Sequence, residues 1–181
     1  MTQYLPDVTT STLTLWTYRE GLLSRVAHDL CIEASQLHAP LTVEGERVRV
    51  EVRVQVRDLK VRGQVKDGAV KPLSDSDHAE IEKNLTTKVL DASRHPELSY
   101  RGEGQRDGDR ARLQGELTLC DATRPLALEG AIEDDEHGVR VTGEVRFRQT
   151  DWGIKPYSAL MGALKVKDEV RVSWDLRYQS V

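Results

Sequence analysis

Large rings are scarce in this 181-residue chain, where one Phe, three Trp and five Tyr make up 5% of the sequence. A core with so few of them must be filled by aliphatic side chains or left partly open. Cysteine is nearly missing as well. Cys31 and Cys120 stand far apart, which excludes any C-x-x-C metal or redox motif; both are expected as free, buried thiols, with a disulfide between them as the lesser alternative. No apolar run approaches the roughly 18 residues of a membrane helix, so no integral membrane segment is expected.

Other absences narrow the function. There is no glycine-rich phosphate loop and no G-x-S-x-G elbow, so neither a nucleotide cofactor nor a serine nucleophile is expected. His38, His78, His95 and His137 have no H-x-x-x-H or facing-carboxylate spacing, so no metal site is expected. Met1–Asp7 lacks a basic stretch followed by an apolar one. A cytoplasmic location is the expectation, or a periplasmic one if a leader has been removed. Charge is nearly balanced, with 26 Lys and Arg against 30 Asp and Glu, a net of −4. Acids and bases interleave, which gives no long-range pull toward nucleic acid.

What is present is alternation. From Arg47 to Arg57, Val48, Val50, Val52, Val54 and Val56 alternate with polar residues, placing all five valines on one face of a strand. Similar patterns mark strands at Thr12–Tyr18, Arg110–Cys120, Pro125–Ile132, Val139–Arg148 and Val170–Tyr178. Less regular strands are expected at Asp29–His38 and Leu98–Gly102, with Asp58–Arg62 extending the third. Gly45-Glu46, Asp67-Gly68, Asp107-Gly108 and His137-Gly138 read as hairpin turns. Gly115, Gly130 and Gly143 fall on the inward face, where they suit a curved sheet and leave room inside.

Helical spacing replaces the alternation over Ser76–Leu90, where Ala79, Ile81, Leu85, Val89 and Leu90 recur. Ser74 or Ser76 supplies a cap, acids follow in the first turn, and Pro96 bars continuation. A short helical segment is expected near Ser158–Leu164, and a single turn at Gly21–Val26. Eight one-sided strands bury one face and protect their edges together only by closing. The expected fold is therefore mainly β, an eight-stranded antiparallel barrel of one domain. Eight strands either pack solid or hold one small ligand. Patterning leaves two states open, a hollow aliphatic lumen and a lumen plugged by the helical segments.

Several stretches resemble the YceI-like, polyisoprenoid-binding family. Gly21-Leu22-Leu23-Ser24-Arg25-Val26-Ala27-His28-Asp29-Leu30 resembles its G-x-x-x-R-V-x-H-D-L stretch. Val89-Leu90-Asp91-Ala92 with His95-Pro96-Glu97 resembles its helix exit. Gly115 to Leu126 resembles its G-x-L-T-L-x-G-x-T-R-P-L pattern, with Asp121 where the family commonly has Gly, and Asp151-Trp152-Gly153-Ile154 resembles its late D-(F/W)-G-I turn. The resemblance implies a lipocalin-like barrel holding a long-chain isoprenoid or other amphiphilic lipid, and in some members a homodimer.

The expected ligand contacts are inward Val50, Val52, Val54, Leu117, Leu119, Val145, Phe147, Val172 and Trp174. Trp152, Leu160 and Met161 are expected across one mouth, and His28 at a head group. His28-Asp29 has the make-up of a general base, but equally of a polar pair fixing a strand start, and no catalytic residue is assigned. A lipid carrier or store is the leading expectation. A filled, stress-associated interaction scaffold is the alternative, followed by an enzyme acting on a lipid through His28.

Overall fold

The computed structural model describes residues 1–21, 28–135 and 138–180. In chain order the strands are β1 Thr2–Pro6, β2 Thr12–Thr17, β3 Arg19–Glu20, β4 Leu30–Ala34, β5 Leu41–Glu44, β6 Arg47–Gln55, β7 Leu59–Lys66 and β8 Ala69–Lys71. The helix α1, Asp75–Asn84, follows. After it come β9 Glu97–Asp107, β10 Arg110–Leu119, β11 Ala122–Asp135, β12 Gly138–Arg148, β13 Ser158–Ala159, β14 Leu164–Val166 and β15 Glu169–Ser180. The turn expected at Gly21–Val26 lies outside the described residues apart from Gly21.

The main sheet closes on itself. β1 pairs with β5 on one side and with β15 on the other, so β1-β5-β6-β9-β10-β11-β12-β15 forms an antiparallel ring of eight. A second branch leaves β15 through β2, β4, β7 and β8. β1 with β2, β4 with β5, and β6 with β7 are the halves of three chain passes, each broken once on its way along the barrel. Asp7 makes the first break by accepting the backbone N–H of Thr9 at 2.9 Å on its carboxylate and that of Ser11 at 2.9 Å on its carbonyl. The third break is the 3-10 turn Val56–Asp58.

Pairing explains the extra length of β9. Its apolar pattern fades after Gly102, yet β6 holds it through Gln105 and β10 through Asp107. The outer face is bound by cross-strand pairs of opposite charge. Arg47 and Arg49 meet Glu103 at 3.1 and 3.2 Å, Arg101 meets Glu51 at 3.1 Å, and Arg140 meets Asp175 at 2.6 Å. Exposed pairs of this kind each contribute about 0–1 kcal/mol. They account for the Arg-rich alternation as a solvated sheet surface.

β7 leaves one edge uncovered where β8 stops, and α1 lies along it. Glu82 accepts the backbone N–H of Val61 at 2.9 Å, and His78 Nε2 lies 2.8 Å from the Val61 carbonyl. A carbonyl only accepts, so His78 carries its proton on Nε2. One turn of helix thus satisfies both backbone groups of a strand residue and covers a sheet edge. Ser74 caps α1 by accepting the Asp77 N–H at 3.1 Å. The exit is a π turn over Leu85–Val89, not continued α-helix, with Leu90 N–H donating to the Leu85 carbonyl at 3.0 Å. Asp91 then turns left-handed at φ 45°.

The segment 158–164 is not a run of helix. It is a hairpin, β13 and β14, joined by the 3-10 turn Leu160–Gly162, and β14 continues the pairing to β3. Cys31 is buried in β4, and Cys120 follows β10; both thiols are free, and burial pushes both pKa values up.

Candidate ligand-binding site

Inside the ring lies a cavity of about 620 Å³, within the range of about 300–1,000 Å³ usual for small-molecule sites. Its walls come from every face of the barrel: Leu15 of β2, Ile32 of β4, Val52 of β6, Leu117 of β10, Val145 of β12 and Val172 of β15. α1 adds Ile81, and the turn after it adds Leu85 and Val89. The helix is therefore part of the wall, and it leaves a hollow behind it.

Val52, Leu117, Val145, Phe147, Val172 and Trp174 point inward yet are only half-buried. In a solid core such residues would be covered on every side. Here their uncovered area borders the lumen. Val50, Val54 and Leu119 also line the cavity and are buried. The deep end is closed by Leu41, Val48, Ile132 and Tyr178, all buried.

Most of the charged lining residues gather elsewhere. Arg19, His28, Asp77, Glu80, Asn84, Tyr157 and Lys165 come from three segments, the chain around β3, helix α1 and the 157–166 hairpin. Asn84 donates to the Tyr157 hydroxyl at 3.2 Å, and Lys165 lies 3.8 Å from Glu20. This polar rim is the mouth of the cavity.

His28 is at the rim, and its Nδ1 lies 3.0 Å from Gln64 Oε1. Gln64 turns its amide nitrogen toward the Pro72 carbonyl at 3.4 Å, so the amide oxygen faces His28. His28 then donates through Nδ1. Asp29 does not join it. Its carboxylate accepts the Arg19 backbone N–H at 2.7 Å and stands 4.0 Å from the Arg19 guanidinium. The pair adjacent in sequence is divided between the mouth and a turn, and no His–carboxylate dyad forms there.

Leu160 lines the cavity, but Trp152 and Met161 do not. Trp152 is buried in the wall. Its indole N–H donates to the Leu117 carbonyl at 2.8 Å, and its ring meets Phe147 edge-on with centroids 4.9 Å apart. A buried indole needs a partner for its N–H, and that partner fixes Trp152 behind the lumen. Met161 is fully exposed on the hairpin tip, at φ 57°.

The inward glycines do not leave the room expected of them. Tyr100 covers Gly102 and Gly115, and Trp174 covers Gly143, so ring area occupies the space the missing side chains give up. The lumen is hollow because its other walls are aliphatic.

Leu15, Ile32 and Ile81 line the cavity as well, beyond the residues expected from the sequence. The alternation that puts Leu13 and Leu15 on one face is a usable signal for the first. Among the described residues, no group of three His, Cys, Asp or Glu side chains is arranged to hold a metal. No helix there is long and apolar enough to cross a membrane. His95 and Asp121 form a contact away from the mouth, Nδ1 to Oδ2 at 2.9 Å, beside a turn in which Cys120 and Asp121 both have positive φ. Asp tolerates that backbone better than most residues, so the turn forms without the glycine common in the resembling family.

A closed antiparallel barrel around an apolar lumen with a polar mouth is a lipocalin-like binding-protein fold. The YceI-like domain profile matches residues 33–178, most of the chain. The chain belongs to the YceI-like family. Protein YceI of Escherichia coli O157:H7 is 30% identical over 89 residues, 45% of this chain and 47% of that protein. The match to Protein YceI of Shigella sonnei has the same extent. The matched stretch thus spans about half the length of these curated relatives. Among solved structures, Burkholderia cenocepacia BcnA superposes with a TM-score of 0.70 at 11% identity, covering 94% of this chain and 98% of that one. A Campylobacter jejuni YCEI protein gives 0.61 at 9% identity, covering 83% and 84%. At such identities the superpositions establish the shared fold.

Proposed function

We propose that this protein holds a long-chain isoprenoid or a similar amphiphilic lipid in its lumen, as a carrier or store. The observation that carries this reading is the cavity of about 620 Å³, lined mostly by apolar side chains, with most of its charged lining residues gathered at one end. Protein interiors are packed to near-crystalline density, and a void of this size lined by Val, Leu and Ile has no use in stabilising the fold. Such a void excludes water and accepts an apolar guest. A chain of CH2 and methyl groups gains about 0.8 kcal/mol for each buried CH2. The rim adds polar groups for a head group, including the imidazole of His28 and the ammonium of Lys165.

Catalytic geometry is not part of this reading. The carboxylate next to His28 is engaged with Arg19, so the residues favour binding over turnover.

The test is native mass spectrometry of the purified protein, followed by organic extraction and identification of what is released. A stoichiometric polyisoprenoid or quinone is the expected result. A protein that arrives empty, and stays empty when offered quinones and polyprenols, overturns the reading and favours a scaffold.

A further inference from the structure

Charge is balanced along the chain as a whole, but not along one stretch at the mouth. Lys155–Lys167 reads KPYSALMGALKVK, with three lysines and no carboxylate, in a protein of net charge −4. Folding makes this stretch a hairpin. The Val166 N–H donates to the Tyr157 carbonyl at 3.0 Å, Ser158 pairs with Lys165, and the Lys167 N–H donates to the Tyr18 carbonyl at 2.8 Å.

At its tip Leu160, Met161 and Gly162 follow one another at φ 51°, 57° and 86°. Two consecutive non-glycine residues in the left-handed region are a strained choice, and strain of this kind collects at functional loops. Here it puts two large apolar side chains into solvent. Leu160 is 64% exposed and Met161 fully so. Of the large exposed hydrophobic residues among those described, only Leu160 also lines the cavity. The apolar tip and the apolar lumen are therefore neighbours.

The base of the hairpin is basic. Lys155, Lys165 and Lys167 are all exposed. Lys165 lies 3.8 Å from Glu20, while Lys155 and Lys167 have no carboxylate partner among the described residues. Asp77 and Glu80 stand across the mouth on α1, so the two sides of the opening differ in sign. An apolar tip flanked by three exposed lysines has the composition that seats a segment in the interface of an anionic membrane.

We infer that the 155–167 hairpin docks the mouth of the barrel on an anionic lipid bilayer, with Leu160 and Met161 entering the interface and the lysines facing the lipid head groups. The seating places the lumen opening against the membrane, where an apolar guest passes between bilayer and barrel without crossing water. This inference rests on the lipid-holding reading for its purpose, but the surface itself is tested separately.

The test is co-sedimentation with two sets of vesicles, pure phosphatidylcholine and phosphatidylcholine with about one third phosphatidylglycerol. The expected result is binding to the anionic set, falling steeply at about 0.5 M salt where the Debye length contracts. Met161→Asp, and separately Lys155→Glu with Lys167→Glu, should each weaken that binding by about tenfold or more. These positions are exposed and outside the cavity lining, so the thermal midpoint should match the parent. No binding by the parent, or unchanged binding in either variant, overturns the docking surface. A parent that sediments with anionic vesicles but yields no lipid on extraction keeps the surface and removes the cargo.

Discussion

Trp174 stands opposite Gly143 across β15 and β12, and a Cβ on that glycine would come within 2.5 Å of the indole Cζ2. Gly130 pairs with Gly143 on the next strand and borders the same ring. The ring thus lies where two side chains would otherwise begin, covering backbone on the inner wall of a sharply curved sheet. Gly143→Ala should force the indole or the strand to move, at a cost of about 1–3 kcal/mol. Urea unfolding reads this directly. An unchanged midpoint would mean that the indole swings into the lumen at no cost.

Tyr100 plays the equivalent part over Gly115 and Gly102, and it has a titratable group. Its hydroxyl donates to the Leu126 carbonyl at 3.2 Å, and burial pushes its pKa up from 10.0 to about 12. The folded state therefore holds this proton more tightly than the unfolded chain does. The stability linked to it is fully present below pH 10 and is lost as pH rises toward 12. Tyr100→Phe should cost about 1 kcal/mol near neutrality, through the lost hydrogen bond. Between pH 10 and 12 the gap to the parent should narrow, because the variant lacks that titration. Denaturant midpoints across that range decide it, and a constant gap would show that Tyr100 is not the group lost.

Much of this wall is legible in the amino-acid pattern alone. Val48, Val50 and Val54 are buried as their alternation requires, and Val56 is buried too, although the strand has by then become a 3-10 turn. Ser74 caps α1 as the sequence suggests. Other elements carry too little local signal. Leu41–Glu44 is a short strand directly after Pro40, and Thr2–Pro6 has one inward ring, Tyr4, whose meaning depends on β5 and β15 being present. The hairpin at 158–164 looks helical because apolar residues recur there, but its register is set by pairing with β3. Trp152 suggests itself for the mouth because aromatic rings suit lipid contacts; its N–H needs a buried acceptor, and only the fold shows that the Leu117 carbonyl is near. The size of the cavity is out of reach of patterning, which gives the inward face and not the distance across the barrel.

The contact between α1 and β7 makes a sharper prediction than the burial of the helix, for none of its α-helical residues is fully buried. Two side chains one turn apart, His78 and Glu82, satisfy the two backbone groups of Val61. Glu82→Ala should leave the Val61 N–H without its acceptor, costing about 1–3 kcal/mol. Hydrogen exchange should locate the loss. Protection of the Val61 amide should drop while that of β10 and β12 amides falls only with global stability. Uniform loss across the barrel would show that the helix is not the separate cover of this edge.

A hollow barrel and a filled one respond differently to the same added volume. Val52 is inward, half-buried and bordered by the cavity of about 620 Å³. In a solid core Val52→Trp would force neighbours off their rotamers, at about 1–3 kcal/mol or more. In the lumen the indole has space to enter, and its buried area offsets the little rearrangement it causes. The expected result is a stability within about 1 kcal/mol of the parent, together with clearly less lipid per protein on extraction. Near-parental stability with undiminished lipid would move the cargo away from Val52. A large loss of stability would mean that the wall collapses around its cavity in solution, and the lumen would then have no room for a guest.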